Sequence, residues 1–266
     1  MVHALHSLAT HAYGAAAVVY LVYLVRQWSP LPLVGRLLVA LGAVLHGVGL
    51  GLLVLHQGGL PVGMAQAFSA LAFLLVLIFL GLDVRYRLPV LGAFLTPFAL
   101  AVLVPGFLLP SAGGLRDSLR RPLLPVHVSV ALIGLAAFGA AAGIAVMYLL
   151  LERQMKGKRF GVLFSRIPSL QLLDDLNRRL VIGGFIALSL TVITGAFFVG
   201  GASYLEWQPK QVTTLVAWLV FGVLLGARAF AGWNGRRVAV LTMAGFCILV
   251  VSFLTAFDPL GGGGLH

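Results

Sequence analysis

The sequence predicts an all-α fold: a polytopic transmembrane helix bundle of about eight spans. Of its 266 residues, 61% are hydrophobic and only 9% are charged, and the mean hydropathy is +1.06. A water-soluble domain of this size cannot bury so much apolar surface, so the lipid bilayer is the expected solvent. We expect one integral membrane domain over residues 1–266, multi-pass in the inner (plasma) membrane.

Eight runs of the sequence are long and apolar enough to cross a bilayer, which takes about 20 residues. They lie at roughly 8–25, 34–55, 62–82, 88–109, 126–151, 180–199, 212–230 and 238–257. Proline, glycine or charged residues mark the breaks: Pro30 and Pro32, Gly58 to Pro61, Asp83 to Arg85, and Pro110 to Pro125.

The basic residues predict the orientation of these spans. All but four of the 18 Lys and Arg residues follow the first, third, fifth or seventh span; the exceptions are Arg116, Arg120, Arg121 and Lys210. The positive-inside bias then places both termini outside. The net charge of +11 is assigned to cytoplasmic loops and lipid headgroups, and no nucleic-acid partner is expected.

The longest cytoplasmic connection covers about 152–179. After Ser169, a suitable N-cap, residues 170–176 have helical spacing with their apolar side chains largely on one side. We expect a short interfacial helix on the inner membrane surface, acting as an anchor or as a docking segment for a soluble partner. The single cysteine, Cys247, excludes a CxxC redox pair and hence a thiol–disulfide carrier.

The histidines lie on the predicted outer side or within span two. They are His3, His6, His11, His46, His56, His127 and His266. Imidazole suits the axial ligation of haem iron and the binding of transition metals. A haem-handling site at the outer face fits this distribution, and so does metal uptake. A transporter ranks last, because the spans contain hardly any charged residues to form an ion path.

Three of these histidines have distinct settings. His46 lies in a span made otherwise mainly of Leu, Val, Ala and Gly, where an ionisable group is costly unless it faces the bundle interior. It is either a satisfied core residue or a ligand. His127 opens span five just after Pro125, at the water interface, and is a candidate ligand. His266, after Gly264 and Leu265, resembles a flexible tail.

The outer connection between spans six and seven carries Tyr204, Trp207 and Lys210. Interfacial aromatic residues belong by default to the aromatic belt of a membrane protein. Alternatively, the two rings offer a flat apolar surface for a porphyrin, and the lysine offers a charge for a propionate.

Several stretches resemble one family by their order and spacing. They are Gly59-Leu60-Pro61, His127-Val128-Ser129, Ile167 to Leu173, Leu176 to Leu180, Trp207 to Lys210, Ala217 to Leu219, Ala227-Arg228 and Gly232 to Arg236. Over roughly residues 40–266 the chain resembles the CcsA/HemX-type cytochrome c assembly proteins, which are membrane proteins that handle haem.

The resemblance implies a site for non-covalent haem b. It makes His127 and His266 axial ligands of haem iron at the outer face, with Trp207 and Tyr204 sheltering the macrocycle and Lys210 near a propionate. His46 would match an inner, membrane-embedded histidine of the family. Many members carry a second inner histidine where this chain has Gly226.

The outer segment departs from the family pattern. Full haem-delivering members carry three Trp residues and an Asp there; this chain keeps one Trp, Trp207, and has Gln208 for the Asp. The departure favours the shorter HemX-like branch over a complete haem conduit.

Together these features predict a haem-binding protein of cytochrome c biogenesis that handles or presents haem at the outer face and is not an enzyme. Its expected partners are haem, a ResB-like assembly protein, apocytochrome c and the lipid bilayer. The alternative is a HemX-like membrane regulator or scaffold that acts through residues 152–179 on a cytoplasmic haem-synthesis partner.

Overall fold

The computed structural model describes residues 2–26, 28–57, 63–108, 123–158, 168–199 and 209–255. Within these ranges the chain is helical, with short turns between helices. The helices are α1 (Val2–Val25), α2 (Leu31–Gln57), α3 (Met64–Tyr86), α4 (Pro89–Leu108), α5 (Leu123–Lys156), α6 (Leu170–Val199), α7 (Pro209–Phe230) and α8 (Arg236–Thr255).

Each of these eight helices is long and apolar enough to span a membrane. The predicted all-α polytopic bundle of eight spans is therefore confirmed. Because the helices run alternately in opposite directions, α1, α3, α5 and α7 begin at the same end of the bundle. This is the end predicted to face outward, and it is called the outer end below.

The bundle consists of two groups of four helices. Consecutive helices pair as hairpins, α1 closes the first group against α4, and α8 closes the second against α5. The long helix α5 is the centre of the molecule: it packs on α3 and α4 of the first group as well as on α6 and α8. Phe138 of α5 stacks on Phe221 of α7, with ring centroids 3.8 Å apart.

Three rings of α1 dock against three glycines of α2, and we call this interface the ring seam. Both sets are spaced by seven residues and run antiparallel: His6 faces Gly49, Tyr13 faces Gly42 and Tyr20 faces Gly35. A Cβ atom at Gly42 or Gly35 would lie 2.6 or 2.7 Å from the facing ring, and one at Gly49 3.1 Å from the imidazole. Glycine is therefore required for α1 to approach this closely.

The start of α6 corrects one prediction. Ser169 caps the helix as expected, since its Oγ accepts a hydrogen bond of 3.3 Å from the Leu172 backbone N–H. The helix then runs unbroken from Leu170 to Val199, so the predicted separate surface helix over residues 170–176 is wrong. Its apolar side packs into the core, where Leu173 and Leu176 are buried.

Candidate functional site

His127 lies near the outer end of α5, in contact with the last turns of α6. Its Nδ1 is 2.9 Å from Thr194 Oγ1, and the Thr194 hydroxyl donates to the Leu190 carbonyl at 2.7 Å. With the threonine proton on that carbonyl, its oxygen is placed to accept from His127 Nδ1–H. In that arrangement the ring proton is on Nδ1 and the lone pair is on Nε2.

The sequence of α6 allows this approach. A Cβ atom at position 195 would lie 3.3 Å from Cε1 of His127, so Gly195 lets the imidazole lie against the α6 backbone. His127 is half-buried at this end of the bundle. A ring held through Nδ1–H, with its Nε2 lone pair set by that bond, is the usual arrangement of a metal-ligating histidine. The residues present therefore fit an axial ligand of haem iron.

His46 has a different setting, in the interior of the first group of helices. It is completely buried, with Nε2 2.8 Å from Ser69 Oγ of α3 and Nδ1 3.3 Å from the Tyr13 hydroxyl of α1. A neutral imidazole has one donor and one acceptor nitrogen, and a hydroxyl can take either role. Both nitrogens therefore have partners, which favours a core residue over a ligand.

His6 was missed as a neighbour of His46. The two rings meet edge to face with centroids 5.2 Å apart, and Phe73 of α3 lies 5.3 Å from His46 on another side. Both nitrogens of His46 already have hydroxyl partners, and His6 Nδ1 lies 3.1 Å from the Val2 carbonyl oxygen. The pair therefore does not fit a shared haem iron as it stands. The seven-residue spacing of His6, Tyr13 and Tyr20 was the signal in the sequence.

The other predicted site residues are only partly described. His266, Trp207 and Tyr204 lie outside the described residues, and Lys210 belongs to α7 but its side chain is not described. His3, His11 and His56 are exposed.

A second polar cluster lies at the inner end of the α5–α8 group. Arg228 of α7 forms a salt bridge with Asp174 of α6 and donates to Asn177 Oδ1 at 3.3 Å. Asp174 Oδ1 accepts the Gly235 backbone N–H at 3.3 Å, and Asn177 donates to the Ala141 carbonyl at 3.1 Å. The cluster joins α5, α6, α7 and the turn before α8.

A metal site made by the protein alone is not found in the part of the chain that the structure describes. Within those ranges no group of three or more His, Cys, Asp and Glu side chains is placed to hold an ion. The described residues thus offer single imidazoles, which suit a metal that brings its own equatorial ligands, as haem iron does.

Comparison with known proteins identifies the family of this chain. The sequence model of the cytochrome C assembly protein family matches residues 34–257. A cytochrome c biogenesis protein CcsA of Synechococcus sp. (strain CC9902) is 30% identical over 300 residues, covering 100% of this chain and 98% of the relative. The CcsA protein of Prochlorococcus marinus (strain MIT 9303) is 30% identical over 263 residues, covering 86% and 82%.

A third relative, the CcsA protein of Synechococcus sp. (strain CC9605), is 29% identical over 260 residues, covering 87% of this chain and 85% of its own length. No solved structure matches the chain significantly. The family match spans seven of the eight helices in full or nearly so, α2 to α8, and includes His46 and His127. The chain therefore belongs to the cytochrome c assembly protein family.

Proposed function

We propose that this protein binds haem b non-covalently and presents it at the outer face of the membrane during cytochrome c biogenesis. The observation that carries the proposal is the hydrogen bond between His127 and Thr194 at the outer end of α5. It orients the imidazole and sets the Nε2 lone pair for iron. Family membership and the multi-pass apolar bundle support the same function.

The remaining parts of the site follow from the family resemblance. His266 would supply the second axial ligand, Trp207 and Tyr204 would shelter the macrocycle, and Lys210 would pair with a propionate. Haem is the cargo, and no bond-making step is assigned to the chain, so the protein is proposed not to be an enzyme. A ResB-like protein and apocytochrome c would receive the haem, in the inner (plasma) membrane.

His46 takes a conditional part in this proposal. Both of its nitrogens already serve the packing of α1, α2 and α3, so iron would have to displace either Tyr13 or Ser69. We assign His46 a structural role in the closed bundle and an inner haem-binding role only when α1 moves away.

The experiment is a haem titration of the full-length protein in detergent, followed by the Soret band. His127→Ala is expected to abolish or strongly shift the band. His11→Ala is the matched control, since it removes an exposed histidine of α1 and should leave the band unchanged. If His127→Ala, alone and with His266→Ala, binds haem with the wild-type spectrum, the assignment fails.

The regulator alternative depends on the segment 152–179. To bind a soluble partner, the apolar side of residues 170–176 would have to be accessible, but Leu173 of that stretch is fully buried. Asp174 is held by Arg228 and by the turn before α8. These described residues serve the bundle interior, so the haem-binding function is the one that the geometry favours.

A further inference from the structure

A buried ion pair closes the inner end of the first four helices. Asp83 of α3 is fully buried, and its Oδ2 accepts a hydrogen bond of 2.7 Å from Arg36 Nε of α2. The Arg36 side chain is 32% exposed, so the pair reaches from the core to the inner surface. Its charges cancel, which makes burial of the carboxylate tolerable in an apolar bundle.

Two polar atoms beside this pair have no hydrogen-bond partner among the described residues. They are Asp83 Oδ1 and the Tyr20 hydroxyl, and both are buried. Leaving a buried polar atom unsatisfied costs about 1–3 kcal/mol, and such atoms in folded proteins usually meet an ordered water or ion. Two of them next to one ion pair indicate a shared occupant.

The packing places the Tyr20 ring against the residues that flank the ion pair. The Tyr20 ring meets Phe79 edge to face at 5.5 Å, and Phe79 lies one turn before Asp83 on α3. The hydroxyl-bearing Cζ of Tyr20 faces Gly35, where a Cβ atom would lie only 2.7 Å away, and Gly35 directly precedes Arg36. The hydroxyl lies within electrostatic range of both charged groups.

We propose that Tyr20, Arg36 and Asp83 form a binding site for a single water molecule that enters from the inner face. The occupant must donate a hydrogen bond to Asp83 Oδ1 and also bond the Tyr20 hydroxyl. A neutral donor and acceptor fits, whereas an ion of either sign gains little beside a pair whose charges already cancel. Water is the small molecule with this chemistry that reaches the inner surface.

Tyr13 provides an internal comparison for this site. It is the same residue type, seven residues earlier on the ring seam, fully buried, and docked against a glycine in the same way. Its hydroxyl is paired with His46, so it requires no water. The ring seam is therefore hydrated at the level of Tyr20 and dry at the level of Tyr13.

Radiolytic hydroxyl-radical labelling of the intact protein in lipid nanodiscs tests this, because radicals formed from a bound water oxidise the side chain beside it. Tyr20 is expected to be oxidised well above Tyr13, although both are fully buried. After rapid mixing with water carrying a heavy oxygen isotope, the label on Tyr20 should carry that isotope.

Equal labelling of the two tyrosines would show that α1 opens as a whole, which overturns the proposal. An unlabelled Tyr20 overturns it too, since the hydroxyl would then have no water beside it. The measurement uses no haem, so its outcome is independent of the proposed haem-binding function.

Discussion

His46 and His127 are both held through their nitrogens by hydroxyl groups of neighbouring helices, but to different ends. His46 uses both nitrogens inside the bundle, on Tyr13 and Ser69. His127 is half-buried at the outer end, and its Nδ1 is held by Thr194 Oγ1 of α6 at 2.9 Å. In a bilayer a buried polar atom is costly unless it has a partner. A histidine in the bundle interior therefore serves the packing of helices, and one at its end can serve a ligand.

The largest expected effect is on haem affinity when Thr194 is replaced by valine. Thr194→Val keeps the shape of the side chain and removes the oxygen that accepts from His127 Nδ1–H. Loss of such a supporting hydrogen bond costs roughly 10–100-fold in metal affinity. We expect a weakening of this size in a haem titration followed by the Soret band.

Ser69→Ala is the matched control for this change. It removes a hydroxyl that bonds a histidine nitrogen in the same way, but at His46. It should destabilise the first group of helices and leave outer haem affinity unchanged. Equal loss of affinity in both variants would mean that His46 and His127 are not separate sites, and the comparison would break.

Hydropathy alone was sufficient to predict the eight spans, because a bilayer requires long apolar helices and a polar break within one of them costs free energy. The N-terminal end of α6 could not be predicted from hydropathy. Asp174 and Asn177 look like residues of an aqueous connection, yet Arg228, 51 residues beyond Asn177, satisfies both in the folded bundle. Their partners are distant in sequence, so no local sequence pattern indicates them.

The same limit applies to the candidate site, where the histidines could be predicted and their partners could not. The sequence predicted His127 at the outer start of a helix. It left His46 as either a satisfied core residue or a ligand. Their hydroxyl partners, Thr194, Ser69 and Tyr13, lie 23 to 67 residues away in sequence. The match of ring and glycine spacings in α1 and α2 was visible in principle, as two seven-residue repeats, but its register depends on how the two helices pack.

The second prediction concerns the ring seam that covers His46. Gly42→Ala places a methyl group where the Tyr13 ring lies, 2.6 Å away, so α1 must shift. Overpacking of this kind costs roughly 1–3 kcal/mol. We expect a lower unfolding free energy in detergent and faster modification of His46 by a histidine-specific reagent such as diethylpyrocarbonate.

Gly51→Ala is the control on the same helix, because nothing lies within 4 Å of the added Cβ atom. It should be neutral or slightly stabilising, since alanine favours a helix over glycine. If Gly51→Ala exposes His46 as much as Gly42→Ala, general loosening of α2 is responsible and the ring seam does not protect the histidine.

The smallest effect is expected from Tyr13→Phe, which removes one hydroxyl and leaves the ring against Gly42. His46 Nδ1 then loses its partner, at a cost of about 1 kcal/mol, the usual worth of a hydrogen bond between membrane helices. The ring still holds α1 against α2, so His46 stays buried and closed to haem. In the His127→Ala background, added Tyr13→Phe is therefore expected to lower the unfolding free energy in detergent and to produce no new Soret band. A band that appears in this variant and vanishes with His46→Leu would show that haem reaches His46 without movement of α1, and unchanged stability would show that the 3.3 Å contact between Tyr13 and His46 contributes no free energy.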